Sequence, residues 1–154
     1  MQHLAELNIA RIRYPLDDPR MADFVDNLDR INTLAERMPG FVWRLKDDGG
    51  DATTFRSFDD PDIIPNLSVW ASVAAFETFA WRTVHRKFYT RRNEWFSKLD
   101  GPHFVMWWIE AGHVPDLEEA KARLEHLRVH GPTDQAFGWE SLAGASDWME
   151  ARCA

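Results

Sequence analysis

The chain has 154 residues, with 25 Asp or Glu against 18 Lys or Arg and a formal net charge of -7. That length suits a single domain over residues 1–154, with a core that needs neither disulfides nor a structural metal; the lone cysteine, Cys153, leaves no disulfide framework and no thiolate metal cage. The acidic balance argues against a nucleic-acid platform, no stretch approaches the roughly 18–20 apolar residues of a membrane span, and no signal-like start precedes the first periodic segment, so the sequence predicts a soluble, unprocessed, cytoplasmic protein.

Residues 4–14, LAELNIARIRY, alternate as a strand does, with Ala5, Leu7 and Ile9 on one face and Leu4, Asn8, Ala10 and Ile12 on the other. Asp18-Pro19 then has the cap-then-proline order of a helix start, and Met21, Phe24, Val25, Leu28, Ile31, Ala35 and Met38 follow at spacings of three and four until Pro39-Gly40. FVWRLK at 41–46 reads as a second strand, followed by the turn DDGGD and a long polar connection over 51–65. NLSVWA at 66–71 is the third strand. Residues 72–99 hold no Gly or Pro and predict one long helix, bent near Thr83 to His85 where β-branched residues weaken helix propensity. HFVMWWIEAG at 103–112 is apolar on both alternating faces, as a central strand covered on both sides is. Asp116 with Glu119 three positions on opens a last helix through Leu117, Ala120, Leu124 and Leu127, closed by Gly131-Pro132. The tail carries Phe137, Trp139 and Trp148 without a period.

This order predicts an α+β fold, a ferredoxin-like βαββαβ unit with an extra C-terminal helix. Two helices cover one face of such a sheet. The second apolar face predicts a second copy, giving a symmetric homodimer with a two-sheet barrel between the subunits.

The segment WRTVHRKFYTRRNEWF, residues 81–96, sets His85 and Arg92 on one helical side with Trp81, Phe88 and Trp95. One reading makes the aromatics core and lets the cations reach solvent. The other makes a cavity between helix and sheet, in which His85 ligates or transfers a proton and Arg92 pairs an anionic group. Trp107 and Trp108 point to opposite faces of their strand, and His113 stands at its end. His126 and His130 have the i, i+4 spacing of zinc helices, but no HExxH pattern or acidic partner completes a site, so no metal is predicted. A GxSxG elbow, a Gly-rich phosphate loop and a Cys-His pair are absent.

Three blocks, SVWASVAAFETFAWRTVHRKFYTRRNEWF, FVMWWIEAGHVPDLEEAKARLEHLRVHGPT and AFGWESL, resemble a bacterial family of unknown function, the 3291 domain-of-unknown-function family. That family resembles in turn the dimeric α+β barrel superfamily of antibiotic-biosynthesis-monooxygenase-like proteins. The resemblance implies a monooxygenase-like enzyme acting on a small hydrophobic or aromatic molecule, with His85, Arg92 and Asn8 in catalysis. Trp70, Trp81, Trp95, Trp107, Trp108 and His113 would contact the ligand. A non-catalytic small-ligand-binding or stress-response module is the alternative from another class. The haem-degrading members imply a further one, with an Asn, a Trp and a His at positions similar to Asn8, Trp70 and His85; haem is the one cofactor suggested, and none is required. The discriminating feature is room beside His85.

Overall fold

The computed structural model describes residues 1–47, 50–53 and 58–142. Asp48-Gly49 in the turn, residues 54–57 of the long connection, Trp148 and Cys153 lie outside the described residues. No helix among the described residues is long and apolar enough to cross a membrane.

β1 (Gln2–Ile12) is the middle of an antiparallel sheet. One edge pairs with β3 (Ile63–Trp70), Leu4 opposite Trp70 through Arg11 opposite Ile63. Outside β3 lies β2 (Phe41–Arg44). The other edge of β1 is shared: β5 (Phe104–Glu110) takes Gln2 to Asn8, and the two-residue β4 (Phe96–Ser97) takes Arg11 and Ile12. The plan is the ferredoxin-like one expected, α+β with an antiparallel sheet. Pro65 sits inside β3 at no cost in hydrogen bonds. Ile9, its partner, donates its N–H away from β3 to His103 O (2.9 Å), so the side where Pro65 lacks a donor faces outward, beyond the end of β2.

Alternation along β1 divides the core in two. Ala5, Leu7 and Ile9 join Leu67, Val69, Val105 and Trp107 on one face. On the other, Leu4 packs with Trp70, Phe76 and Phe79, and Ile12 packs with Met21, Ile64 and Trp95. The second face is covered by α1 (Ala22–Arg37), α2 (Val73–Arg82) and two short helices, α3 (His85–Thr90) and α4 (Arg92–Trp95). The first is covered by α5 (Leu117–His130), whose Leu117, Ala120, Leu124 and Leu127 are all buried against it. The apolar face from which a second copy was inferred thus carries the chain's own C-terminal helix.

The continuous helix expected over 72–99 is three helices, broken where the bend was expected and ending sooner. Thr83 is extended (φ -118°, ψ -175°), and Phe96 leaves the helix (φ -122°, ψ 137°) because its backbone pairs with Ile12 instead. The predicted caps form: Asp18 accepts from Arg20 N–H at 2.9 Å and Asp116 from Glu119 N–H at 2.8 Å. After α5 the chain crosses the edge of β5, where Phe137 and Met106 exchange backbone hydrogen bonds of 2.7 and 3.0 Å, and Trp139 stacks on Phe76 and Phe104 on the opposite face.

Gly40 joins α1 to β2 with φ +87°, and a Cβ there would meet Ala75 Cβ of α2 at 2.5 Å. Gly40→Ala is therefore expected to lose about 1–3 kcal/mol from strain and overpacking together. Leu124→Ala, at the centre of the α5 contact, is expected to lose about 2–5 kcal/mol. Urea unfolding of both variants checks this, and a loss under about 0.5 kcal/mol for Leu124→Ala would mean that α5 does not close the sheet.

Candidate functional site

Helices cover their face of the sheet incompletely, because its middle is polar. Two rows cross from β1 to β3 there, Glu6 opposite Ser68 and Asn8 opposite Asn66, between the Trp70 cluster and the Trp95 cluster. Beside the Asn8–Asn66 row the covering elements part, leaving a cavity of about 540 Å³. Its floor includes Asn8, Ala10, Ile64 and Asn66; its helical walls include Phe24, Leu28 and Ile31 from α1 and His85, Phe88 and Arg92 from α3 and α4. Trp95 and Phe96 close one end, and residues 51–53 with 97–99 complete the rim.

The break at Thr83 aims His85. A helix leaves its last carbonyls without intrahelical partners, and α2 ends at Arg82, so two of these are satisfied from the break itself. Thr83 Oγ1 donates to Phe79 O at 2.6 Å, and His85 Nδ1 lies 2.9 Å from Ala80 O. A carbonyl only accepts, so Nδ1 carries the proton and Nε2 of the neutral ring holds a lone pair. The ring leans on Phe79 at 4.9 Å between centroids. Burial lowers the His85 pKa below its ordinary value, the Ala80 bond opposing this only in part. His85 therefore meets neutral solution as an uncharged imidazole with Nε2 unprotonated.

Arg92 stands on the same cavity, its guanidinium 4.2 Å above the Tyr89 ring and its Nη1 donating to Tyr89 O at 3.0 Å. Asn8 adds a carboxamide that bonds no other described residue. The structure thus gathers His85, Arg92, Asn8 and Trp95 about one space, and the room beside His85 exists. The other sequence candidates stand elsewhere. Trp70 and Trp81 are buried in the aromatic cluster under α2, where Trp70 touches Phe41, Phe76 and Phe79. Trp107 is buried under α5, with Nε1 donating to Glu119 at 3.3 Å. Trp108 is partly exposed beside Phe137, and His113 bonds Glu119 at 2.7 Å. None of these five lines the cavity.

Haem fits poorly. His85 Nε2 has a lone pair that could ligate iron and Asn8 shares its cavity, but Trp70, the residue that would have to press on a macrocycle, lies in the packed core. Among the described residues no group of three or more His, Cys, Asp or Glu is placed to hold a metal ion.

Glu6, which the sequence reading passed over, is the buried carboxyl of this face, 3 % exposed. Trp70 Nε1 donates to Ser68 Oγ at 2.9 Å, and Ser68 Oγ donates to Glu6. Burial raises the Glu6 pKa to about 8, the Ser68 bond offsetting part of the rise. The signal was present in the sequence: one carboxylate on the helix-facing side of a strand whose neighbours are apolar.

A model of the family described as Domain of unknown function (DUF3291) matches residues 3–153. None of the curated proteins matches the chain. Among solved structures, SnoaB from Streptomyces nogalater, described as a cofactor-independent oxygenase, is similar at 16 % identity and a TM-score of 0.48, covering 74 % of this chain and 97 % of its own. A Nitrosomonas europaea protein of unknown function is similar at 16 % identity, 75 % and 97 % coverage, and a TM-score of 0.48. A putative antibiotic biosynthesis monooxygenase from Chloroflexus aurantiacus is similar at 17 % identity, 73 % and 97 % coverage, and a TM-score of 0.45.

The Glu6 shift makes a pH prediction. The unfolded chain releases this proton near pH 4.5, whereas the folded chain keeps it until about 8. The contribution is complete below pH 4.5 and is lost as pH rises through the folded value, at up to about 1.4 kcal/mol per pH unit. Glu6→Gln keeps an acceptor for Ser68 and cannot ionise. Its stability relative to wild type is expected to rise steadily from pH 4.5 to 8, in urea unfolding across that range; two parallel curves would contradict a buried, proton-holding Glu6.

Proposed function

Since the chain belongs to the DUF3291 family, whose description assigns no reaction, we propose from the site itself that it is a monooxygenase-like enzyme. Its substrate on this reading is a small hydrophobic or aromatic molecule held between helices and sheet. The observation that carries this is His85: a neutral imidazole with its tautomer fixed by Ala80 O, on the wall of an aromatic-lined cavity of about 540 Å³. That volume lies within the range of small-molecule sites.

The chemistry that suits these groups begins with a proton. His85 Nε2 takes it from an acidic O–H or C–H of the substrate, and the Asn8 carboxamide with the Arg92 guanidinium offsets the negative charge that develops. The resulting carbanion or phenolate is electron-rich enough to reduce dioxygen. Where a CH2 beside a ring or carbonyl is the reacting carbon, it becomes C=O with one oxygen atom, and the other leaves as water with the two hydrogens. Substrate and O2 balance this reaction without an added reductant.

Oxygen uptake with a panel of phenols, naphthols and anthrones tests the reading. Wild type is expected to consume O2 with at least one class, and His85→Ala to lose about 10²-fold or more in kcat. Because burial lowers the His85 pKa, the acid limb of the wild-type rate profile is expected below the ordinary imidazole value. Binding of the same compounds without oxygen uptake would make the chain a non-catalytic ligand-binding module instead.

A further inference from the structure

The charge around this cavity runs against the charge of the chain. Over the whole sequence carboxylates outnumber Lys and Arg by seven, 25 against 18, yet among the described residues the cavity lining includes Arg13, Arg44, Arg92 and Lys98 against a single carboxylate, Asp51. Arg44 is matched by Glu36 at 2.7 Å. Arg13, Arg92 and Lys98 have no carboxylate partner among the described residues.

Two of these cations are held in place by neutral groups. Arg13 Nε donates to Asn93 O at 2.8 Å and to Phe96 O at 3.1 Å. Arg92, the residue before Asn93, is fixed over Tyr89 and bonded to its carbonyl. Arg13 is thereby anchored at the end of α4 and Arg92 on Tyr89 of α3, and each guanidinium keeps terminal N–H groups that bond no described residue. Both residues line the one cavity. A guanidinium fork matches a planar carboxylate or enolate in two-point geometry, and such a group in the cavity would supply the counter-charge that neither arginine has among the described residues. Phe88, Trp95 and Phe96 line the same cavity, an apolar surface for a ring.

We propose that the ligand of this cavity is an amphipathic anion, an aromatic or alicyclic carboxylate or a stabilised enolate, with its charge on Arg13 and Arg92 and its ring against Phe88 and Trp95. This rests on the cavity being the ligand site, as proposed above, and adds to it the ligand's charge and orientation. Neither a neutral hydrocarbon nor a cation would offer Arg13 and Arg92 a counter-charge.

The test uses two probes of one shape, 2-naphthoate and the neutral 2-naphthamide, titrated by calorimetry and by quenching of Trp fluorescence. The acid is expected to bind at least about tenfold more tightly at low ionic strength, and to lose most of that advantage by about 0.5 M salt as the charges are screened. Arg13→Gln/Arg92→Gln is expected to abolish the preference for the acid over the amide. Equal binding of acid and amide to wild type, or an acid preference unchanged by salt, would overturn the proposal while leaving the cavity as a ligand site. Should neither probe bind, the cavity reading fails and this proposal with it. The comparison on wild type stands whether or not the double variant folds.

Discussion

A sheet apolar on both faces must be covered twice, and most of this molecule follows from how the two covers differ. The face of Ala5, Leu7 and Ile9 is apolar, and α5 lies along it with Leu117, Ala120, Leu124 and Leu127 buried against it. The face of Leu4 and Ile12 is interrupted by Glu6, Asn8, Ser68 and Asn66. Burying an amide or a carboxyl without partners costs more than the neighbouring apolar contacts return. Glu6 and Ser68 satisfy each other and are sealed under the aromatic cluster; Asn8 and Asn66 are left facing space. The cavity lies where polar residues interrupt a core surface, and the helices close again on either side.

The same economy explains the broken helix. A continuous α2 would have used the Ala80 carbonyl for its own backbone and would have carried His85 elsewhere on the cylinder. The extended Thr83 ends the hydrogen-bond ladder early, its hydroxyl takes the Phe79 carbonyl, and His85 takes the next one. One residue's backbone conformation thus fixes a tautomer, and the tautomer decides which nitrogen can act as a base.

Periodicity made the elements legible, since β1, α1, β3, β5 and α5 all alternate or repeat at their own spacing, and even the weakness at Thr83 showed in its β-branched neighbours. What periodicity could not give was destination. Trp70, Trp81 and Trp107 look like ligand residues in a string of letters because aromatics serve cores and sites alike; only packing shows all three inside. Asn8 comes from a different stretch of chain than His85, Arg92 and Trp95, and their convergence depends on the pairing of Arg11 and Ile12 with Ser97 and Phe96, which no local pattern specifies. For a related reason α5 was readable as a helix, but which surface it would lie on was not. Glu6 escaped because a carboxylate in an alternating segment ordinarily marks the solvent side.

The crossing of the tail at β5 bears on what the edges of the sheet offer to another strand. An open strand edge is a template for another chain's strand, and sheets with long bare edges grow by addition. Here the Phe137–Met106 pair occupies the outer edge of β5 near its middle, and Trp139 then pulls the tail over to the helical face. The opposite edge, β2, is four residues long and slips register between Phe41 and Trp43, a poor start for a continuing ladder. With one border blocked and the other short and irregular, strand-by-strand growth has nowhere convenient to begin, and contacts with other molecules are directed toward side chains.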